Sequence, residues 1–218
     1  MNKIPVLVTG IGGGGVGEQI LKCLRMSKMP YYIVGGDMNR NSKGFKLVDQ
    51  AYILPPASDE RYIETLIKIC TKHLIKIAFY GSEPELKKMS DYRDLLKDNG
   101  ILVPLNPQEV IDTCMDKNKT MLWLKNNGFQ YPQNCRVTCK EELMEIPFLP
   151  AVLKPSVGGG GSVNTFIARD GRELRTFGMY LLELYQEFIA QEYVGSYDSE
   201  YTAGVINDMN GVYINSIA

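Results

Sequence analysis

The chain has 218 residues, 44% of them apolar, and its 24 basic and 25 acidic side chains leave a formal net charge of −1 at pH 7. This length is enough for one large or two small domains, and the near-neutral charge argues against a protein that coats nucleic acid. No apolar run approaches the roughly 18 residues that span a bilayer, and the odd number of cysteines, five, indicates reduced thiols in a cytoplasmic protein.

The first 105 residues alternate between predicted strands and predicted helices. Apolar runs predict strands over 4–9, 31–34, 50–54, 75–80 and 101–103. Helical spacing of apolar residues predicts helices over 18–26, from 59 to 74, and over 85–97. Strands that alternate with helices of this length predict a parallel, doubly wound sheet.

The pattern changes near residue 106. A helix over 115–127 ends at Gly128, and short strands are predicted over 134–137, 151–154 and 163–168. One apolar helical face is predicted to comprise Leu174, Phe177, Leu181, Leu184 and Phe188. Strands then follow over 189–194, 200–206 and 211–218, so the second half has a mixed α+β character.

The first glycine-rich loop fits a dinucleotide fingerprint. Gly12, Gly14 and Gly17 follow the first strand and precede a helix, and Asp37 ends the second strand. A nicotinamide or flavin enzyme and a ligand-free strand–helix turn both remain open for this loop. The fingerprint lacks catalytic support, because the single histidine, His73, falls within a predicted helix.

The second glycine-rich loop carries a lysine ahead of its glycines. Lys154 ends a short apolar strand, and the run Gly158 to Gly161 with Ser162 separates it from the next strand. Such a loop can fold over phosphates, because glycine backbone amides are free to approach an anion. The alternative is a flexible hairpin loop with an exposed lysine.

Three segments in order resemble the ATP-grasp superfamily, and within it most closely the large subunit of carbamoyl phosphate synthetase. They are Asp116-Lys117, then Lys154-Pro155-Ser156 with its glycine run, and then residues 191–195 followed by Glu200. The resemblance implies a Rossmann-like parallel-sheet domain followed by an α+β ATP-grasp fold that is incomplete at its C-terminus. The implied parts are 1–112 for the first domain, 113–188 for the small lobe with its glycine flap, and 189–218 for the start of the large lobe.

The resemblance also implies roles for individual residues. Lys117 and Lys154 are expected to bind ATP phosphates, and the segment Gly159, Gly160, Gly161 and Ser162 to close over them. Glu192, Tyr193 and Val194 are expected to contact adenine, the last two partly through backbone groups. Glu200 is expected to bind the ribose, with Asp198 as a rival because the spacing after Gly195 is about two residues longer than in the synthetase.

The implied activity is ATP-dependent joining of a carboxylate to an amine or ammonia through an acyl phosphate. ATP is the expected cofactor and Mg²⁺ is expected for a longer parent protein, since its ligands in relatives lie beyond the position of Ala218. The chain alone is therefore expected to be inactive. Small-molecule substrates and a homodimer are the expected partners, without nucleic acid or membrane. An NAD-binding oxidoreductase and a non-catalytic nucleotide-binding module remain as alternatives.

Candidate substrate contacts lie at the carboxyl ends of the first sheet's strands, where open α/β sheets commonly hold ligands. Glu83 and Glu85 follow the fourth strand and are candidates for a cationic substrate group, and Gly12 and Gly14 belong to the first loop. The alternative for the two acids is that they are solvated residues at a helix start.

Overall fold

The computed structural model describes residues 3–158 and 162–218, and the chain divides into two compact units, Met1–Cys114 and Met115–Ala218. The elements of the N-terminal unit are β1 (Ile4–Thr9), α1 (Val16–Met26), β2 (Tyr31–Asp37), a 3-10 helix (Lys43–Leu47), β3 (Gln50–Ile53), α2 (Tyr62–Lys72), β4 (Ile77–Phe79), α3 (Glu83–Asp91), α4 (Arg93–Asp98) and α5 (Gln108–Cys114).

The N-terminal unit is built on a four-stranded sheet in the order β3-β2-β1-β4, and every pair of neighbouring strands is parallel. Its central strands β1 and β2 are buried over most of their length, as the continuous apolar runs predict, whereas the edge strand β3 is largely exposed. One core cluster contains Leu7, Val34 and Ala78, and the other contains Val6, Val8 and Ile33. The predicted parallel α/β architecture is confirmed.

Two predicted elements of this unit differ from the structure. The fifth strand is a single parallel bridge between Ile77 and Leu102, with Leu102 bonded on either side to Lys76 and Ala78. Pairing stops there because Pro104 has no amide hydrogen to donate to the next position. The helix predicted over 85–97 is two helices, since Tyr92 leaves helical geometry at φ −110° and ψ 21°.

The C-terminal unit combines one antiparallel sheet with helices and a separate hairpin. Its elements are α6 (Lys117–Asn126), β5 (Asn134–Val137), α7 (Lys140–Met144), β6 (Ala151–Pro155), β7 (Phe166–Ala168), α8 (Gly171–Leu184), β8 (Phe188–Glu192), a 3-10 helix (Tyr197–Ser199), β9 (Gly204–Asn207) and β10 (Tyr213–Ile217).

The antiparallel sheet has the order β5-β8-β6-β7, and one of its faces packs against α7 and α8. Asp170 begins α8 by accepting hydrogen bonds from the amides of Arg172 and Glu173, both at 2.8 Å. The assignment of Phe188 to this helix is wrong, because Tyr185 is extended and Phe188 begins β8. Phe188 nevertheless lies fully buried in the same core.

The boundary between the two units lies between residues 114 and 115, close to the expected one at 112. The expected start of a large lobe at residue 189 falls inside β8, whose pairing with β5 and β6 keeps it in this sheet. Among the residues that the structure describes, strands β9 and β10 pair only with each other. None of the helices in the described part of the chain is long and apolar enough to cross a membrane.

Candidate functional site

Two of the sequence motifs meet at the start of α6. The amide of Lys117 donates to the carbonyl of Ser156 at 2.9 Å, and Asp116 forms an antiparallel bridge with Val157. The Asp-Lys motif therefore lies directly beside the start of the second glycine loop, although about 40 residues separate them in sequence.

Lys117 occupies the first position of α6, an unfavourable place for a cation because of the helix dipole. The Asp116 side chain caps this helix by accepting from the amides of Asn118 and Lys119 at 2.9 and 3.2 Å. The Lys117 ammonium donates to the carbonyl oxygen of Gly158 at 2.9 Å. Gly158 has φ +76°, a conformation that favours glycine, so the loop begins in a backbone shape specific to this residue.

Lys154 lies in β6, and its half-buried side chain is near Lys117. Burial and then the charge of Lys117 lower the pKa of the Lys154 ammonium below its ordinary value. Within residues 3–158 and 162–218, no carboxylate forms an ion pair with either lysine. Two neighbouring cations without a carboxylate counterion form a site suited to a multiply charged anion.

The pairing register shows which side chains share the face of the sheet that carries Lys154. Residues directly opposite each other on antiparallel strands project to the same side. Lys154 lies opposite Ile189, and Val152, two residues earlier, lies opposite both Gln191 and Ile167. Gln191 therefore belongs to the Lys154 face. Gln191 was not among the predicted contacts, although the period-2 alternation of a strand was the signal in the sequence that could have identified it.

The segment expected to contact adenine makes several internal contacts. The amide of Glu192 donates to the carbonyl of Gln133 at 2.8 Å, and the amide of Tyr193 donates to the carbonyl of Pro150 at 3.0 Å. The Glu192 carboxylate accepts from the amide of Gln133 at 3.2 Å. Glu192 follows Gln191 in β8 and lies opposite Ala151, so it does not belong to the Lys154 face. Val194 is exposed, and its amide has no partner within the described ranges.

A cavity of about 1010 Å³ lies beside β5, between α6 and the segment 129–135. Its lining includes aromatic side chains together with Glu192 and Val194, but neither Lys117 nor Lys154. This cavity therefore meets the expected adenine segment and not the cation pair. The pair of neighbouring ammonium groups, which suits an anion, therefore defines the candidate site better than the cavity does.

The remaining predicted nucleotide contacts are less well defined. Gly159, Gly160 and Gly161 lie outside the described residues. Ser162 follows them with φ +62° and is exposed. Glu200 and Asp198 are both exposed, so nothing in their surroundings favours one over the other for the ribose.

The first glycine loop has structural reasons for its glycines. A Cβ on Gly17 would lie 2.4 Å from the carbonyl oxygen of Gly10, so only glycine permits this approach of α1 to β1. A Cβ on Gly12 would lie 2.7 Å from the Asp37 carboxylate, which is itself nearly buried. Gly14 has φ +76°. These contacts account for the fingerprint as a tight strand–helix turn.

The charge at the start of α1 is also unfavourable for a pyrophosphate. Glu18 lies in the first turn, with Lys22 and Lys43 at 3.0 and 3.1 Å from its carboxylate oxygens. These lysines lower the pKa of the Glu18 carboxyl, which keeps it charged. Glu18 thus already engages the two ammonium groups at this helix start, which leaves them less available to a pyrophosphate.

The two acids after β4 have different surroundings. Glu85 is buried, and its carboxylate accepts from the Tyr62 hydroxyl at 2.9 Å, the Gly81 amide at 3.2 Å and the Ser82 hydroxyl at 2.9 Å. Burial and the Glu85 charge raise the pKa of Tyr62 above its ordinary value. Glu83 is exposed at the start of α3. Of the two, only Glu83 has a side chain that faces solvent.

Two family models match the chain. Residues 6–104 match the PylC-like, N-terminal domain, and residues 114–214 match the ATP-grasp domain. Among curated proteins, none matches the chain at a significant level.

Solved structures with a similar fold come from several enzymes. N5-carboxyaminoimidazole synthetase from Staphylococcus aureus, complexed with ADP, is 18% identical, with 88% of this chain and 48% of that chain covered and a TM-score of 0.68. L-amino acid ligase from Bacillus licheniformis is 16% identical, with coverages of 89% and 45% and a TM-score of 0.64.

The biotin carboxylase domain of Hydrogenobacter thermophilus 2-oxoglutarate carboxylase, in complex with MgADP, ADP and bicarbonate, is 18% identical. The match covers 87% of this chain and 44% of that chain, with a TM-score of 0.63. The chain thus spans about half the length of these structures. At such identities the likeness is one of fold.

Proposed function

The chain belongs to the ATP-grasp superfamily, and we propose that its C-terminal unit binds ATP as the nucleotide-binding part of an ATP-dependent ligase. The observation that carries this proposal is the pair of lysines, Lys117 and Lys154, which lie close together without a carboxylate partner in the described part of the chain. The triphosphate of ATP supplies the negative charge that such a pair lacks.

The proposed nucleotide contacts extend from this pair. The proposal that the segment Gly159 to Ser162 covers the phosphates rests on the family resemblance alone, since residues 159–161 lie outside the described ranges. The base lies against the Lys154 face, on Val152 and Ile167, with the Gln191 side chain at its edge together with the Val194 amide, which is unpartnered in the described part of the chain. Gln191 replaces Glu192 as the side chain proposed for this edge, because the Glu192 carboxylate already accepts from Gln133.

The proposed reaction joins a carboxylate to an amine or ammonia. The carboxylate oxygen attacks the γ-phosphorus of ATP and releases ADP, and the amine then displaces phosphate from the acyl phosphate. Lys117 and Lys154 stabilise the phosphates by charge and position. Mg²⁺, when bound, neutralises phosphate charge. No group of three or more His, Cys, Asp or Glu side chains suited to a metal lies within residues 3–158 and 162–218, so we assign it no ligands.

We further propose that the N-terminal unit contributes substrate contacts at the carboxyl edge of its parallel sheet. Glu83 is the acid proposed to contact a cationic group, because its side chain is exposed and that of Glu85 is occupied by three internal donors. Gly12 and Gly14 stay as candidates in the adjacent loop.

Removal of the two lysines tests the ATP proposal. Lys154→Ala and Lys117→Ala should each remove a charge-assisted contact of about 1.5–3 kcal/mol. ATP affinity, measured by isothermal titration calorimetry, should therefore fall by roughly tenfold to a hundredfold. Adenosine affinity should not change, because adenosine has no phosphate.

Lys119→Ala is the matched control, since Lys119 is an exposed lysine on the same helix. It should bind ATP like the wild type. Equal loss of ATP and adenosine binding in the Lys154 and Lys117 variants would point to a damaged fold. No loss in either variant would remove the basis of the proposal.

NAD-dependent oxidation is the second candidate, favoured only by the Gly12 to Gly17 fingerprint with Asp37. The packing of Asp37 against Gly12 and the charged Glu18 at the helix start disfavour it. NAD(H) should then bind no more tightly than about millimolar, a weak affinity on the usual scale. Micromolar binding that is abolished by Gly14→Val would favour the oxidoreductase. ATP binding without ligase turnover in a longer parent protein would favour a non-catalytic module.

A further inference from the structure

The side-chain amide of Asn118 connects three elements of the C-terminal unit. Its nitrogen donates to the Ser156 hydroxyl at 3.0 Å and to a Glu187 carboxylate oxygen at 3.3 Å. Asn118 lies in the first turn of α6, Ser156 begins the loop after β6, and Glu187 directly precedes β8. A single amide group thus holds together the helix start, the loop start and a strand start.

The acceptors of this amide are themselves fixed. Ser156 is only 2% exposed, so its hydroxyl is shielded from competing water. The second oxygen of Glu187 accepts from the guanidinium of Arg136, with the Nε contact at 2.7 Å. Arg136 lies in the middle of β5, opposite Ile189 of β8. The sheet therefore holds the carboxylate in place, and the carboxylate holds Asn118.

This junction lies next to the proposed phosphate-binding lysine. The Lys117 amide donates to the Ser156 carbonyl, so the residue whose hydroxyl Asn118 binds also fixes the Lys117 backbone. Lys117 is close enough to Lys154 for the two charges to interact unfavourably. A lysine has a flexible stem, and two like charges move apart unless the surrounding backbone prevents it.

We propose that Asn118 is a positioning residue that, with Glu187, holds the start of α6 against the glycine loop and so keeps Lys117 beside Lys154 for phosphate binding. The proposal rests on the ATP-binding function proposed above and adds a residue to it. Asn118 acts through Lys117 and Ser156.

Two substitutions at this position test the proposal. Asn118→Asp keeps the size of the side chain, replaces its donors with an oxygen and places a negative charge beside Glu187. An acid in the first turn is favourable for the helix, so this variant is expected to fold even if Asn118→Ala does not. Asn126→Ala is the matched control, because Asn126 is an exposed asparagine at the other end of α6.

The expected result is selective for phosphate. By titration calorimetry, Asn118→Asp and Asn118→Ala should weaken ATP binding by about tenfold, and adenosine binding by less than about twofold. Asn126→Ala should bind both ligands like the wild type. A loss of adenosine affinity as large as that of ATP would overturn the proposal, since it would mean that Asn118 contacts the base or supports the whole fold.

A double-mutant cycle separates positioning from an independent effect. If Asn118 acts through Lys117, the tenfold already lost in the Asn118→Asp background should be missing from the effect of Lys117→Ala, which should weaken ATP binding there by no more than about tenfold and by about ten times less than in the wild type. Full additivity of the two substitutions would overturn the proposal.

The failures of the two proposals are distinguishable. If the wild type binds ATP and Lys117→Ala weakens it while Asn118→Asp does not, only the positioning role is wrong. If the wild type does not bind ATP, the proposed function fails and the role of Asn118 fails with it.

Discussion

The buried carboxylate of Glu85 is expected to stabilise the N-terminal unit strongly. Its three donors are the Tyr62 hydroxyl, the Gly81 amide and the Ser82 hydroxyl. Glu85→Ala would leave the buried Gly81 amide without an acceptor, and it would take the carboxylate acceptor from the Tyr62 hydroxyl, which is 1% exposed and has the Thr9 hydroxyl as its other partner. A donor in that state costs about 1–3 kcal/mol.

The expected loss of stability in Glu85→Ala follows from these two donors. The Gly81 amide costs about 1–3 kcal/mol and the Tyr62 hydroxyl up to as much again, and the relief of a buried charge offsets part of that sum, so we expect a loss of about 3 kcal/mol in the free energy of unfolding. With a urea dependence of about 1.5 kcal/mol per molar, the midpoint of urea denaturation should fall by about 2 M. Tyr62→Phe removes one donor and should cost about 1–2 kcal/mol.

Urea denaturation followed by circular dichroism measures the midpoint, and hydrogen exchange in peptides from β1 and β4 localises the effect. Glu83→Ala is the matched control, since Glu83 is an exposed acid in the same turn of α3, and it should stay within about 0.5 kcal/mol of the wild type. Equal midpoints for Glu85→Ala and Glu83→Ala would refute the structural role of Glu85 and return it to the candidate substrate contacts.

Two further predictions concern the same unit. Gly17→Ala should prevent stable folding, because its Cβ would lie 2.4 Å from a backbone carbonyl oxygen, whereas Gly13→Ala meets no atom within 4 Å and should keep the wild-type melting temperature. Burial and the charge of Lys72 lower the pKa of His73 below 6.5, and a neutral ring can accept from the Tyr52 hydroxyl at 2.7 Å. The unfolded state therefore binds more protons, so the urea midpoint should fall as the pH drops below about 6.5, and His73→Gln should reduce this dependence. A urea midpoint that rises on acidification in the wild type, but not in His73→Gln, would contradict the predicted direction.

The fold class could be predicted from the sequence because the signals are local. Continuous apolar strands alternating with amphipathic helices specify a parallel sheet, and the structure has that sheet, with β1 and β2 buried at its centre. The order of the Asp-Lys motif, the lysine-glycine loop and the 191–195 segment was enough to indicate the ATP-grasp superfamily, which the family models confirm. The predicted ends of helices and strands were less accurate. The helices that end at Tyr92 and Tyr185 stop where packing, and not a local sequence signal, sets the backbone conformation.

The contacts within the site were decided by tertiary structure. No sequence pattern shows that Glu85 is buried under three donors while Glu83, two residues earlier, faces solvent. The strand register places Gln191 on the Lys154 face and leaves the Glu192 carboxylate bonded to Gln133. Periodicity along one chain segment fixes which residues alternate, but the partner opposite each residue is set by hydrogen bonds between segments distant in sequence, and these form only when the sheet assembles.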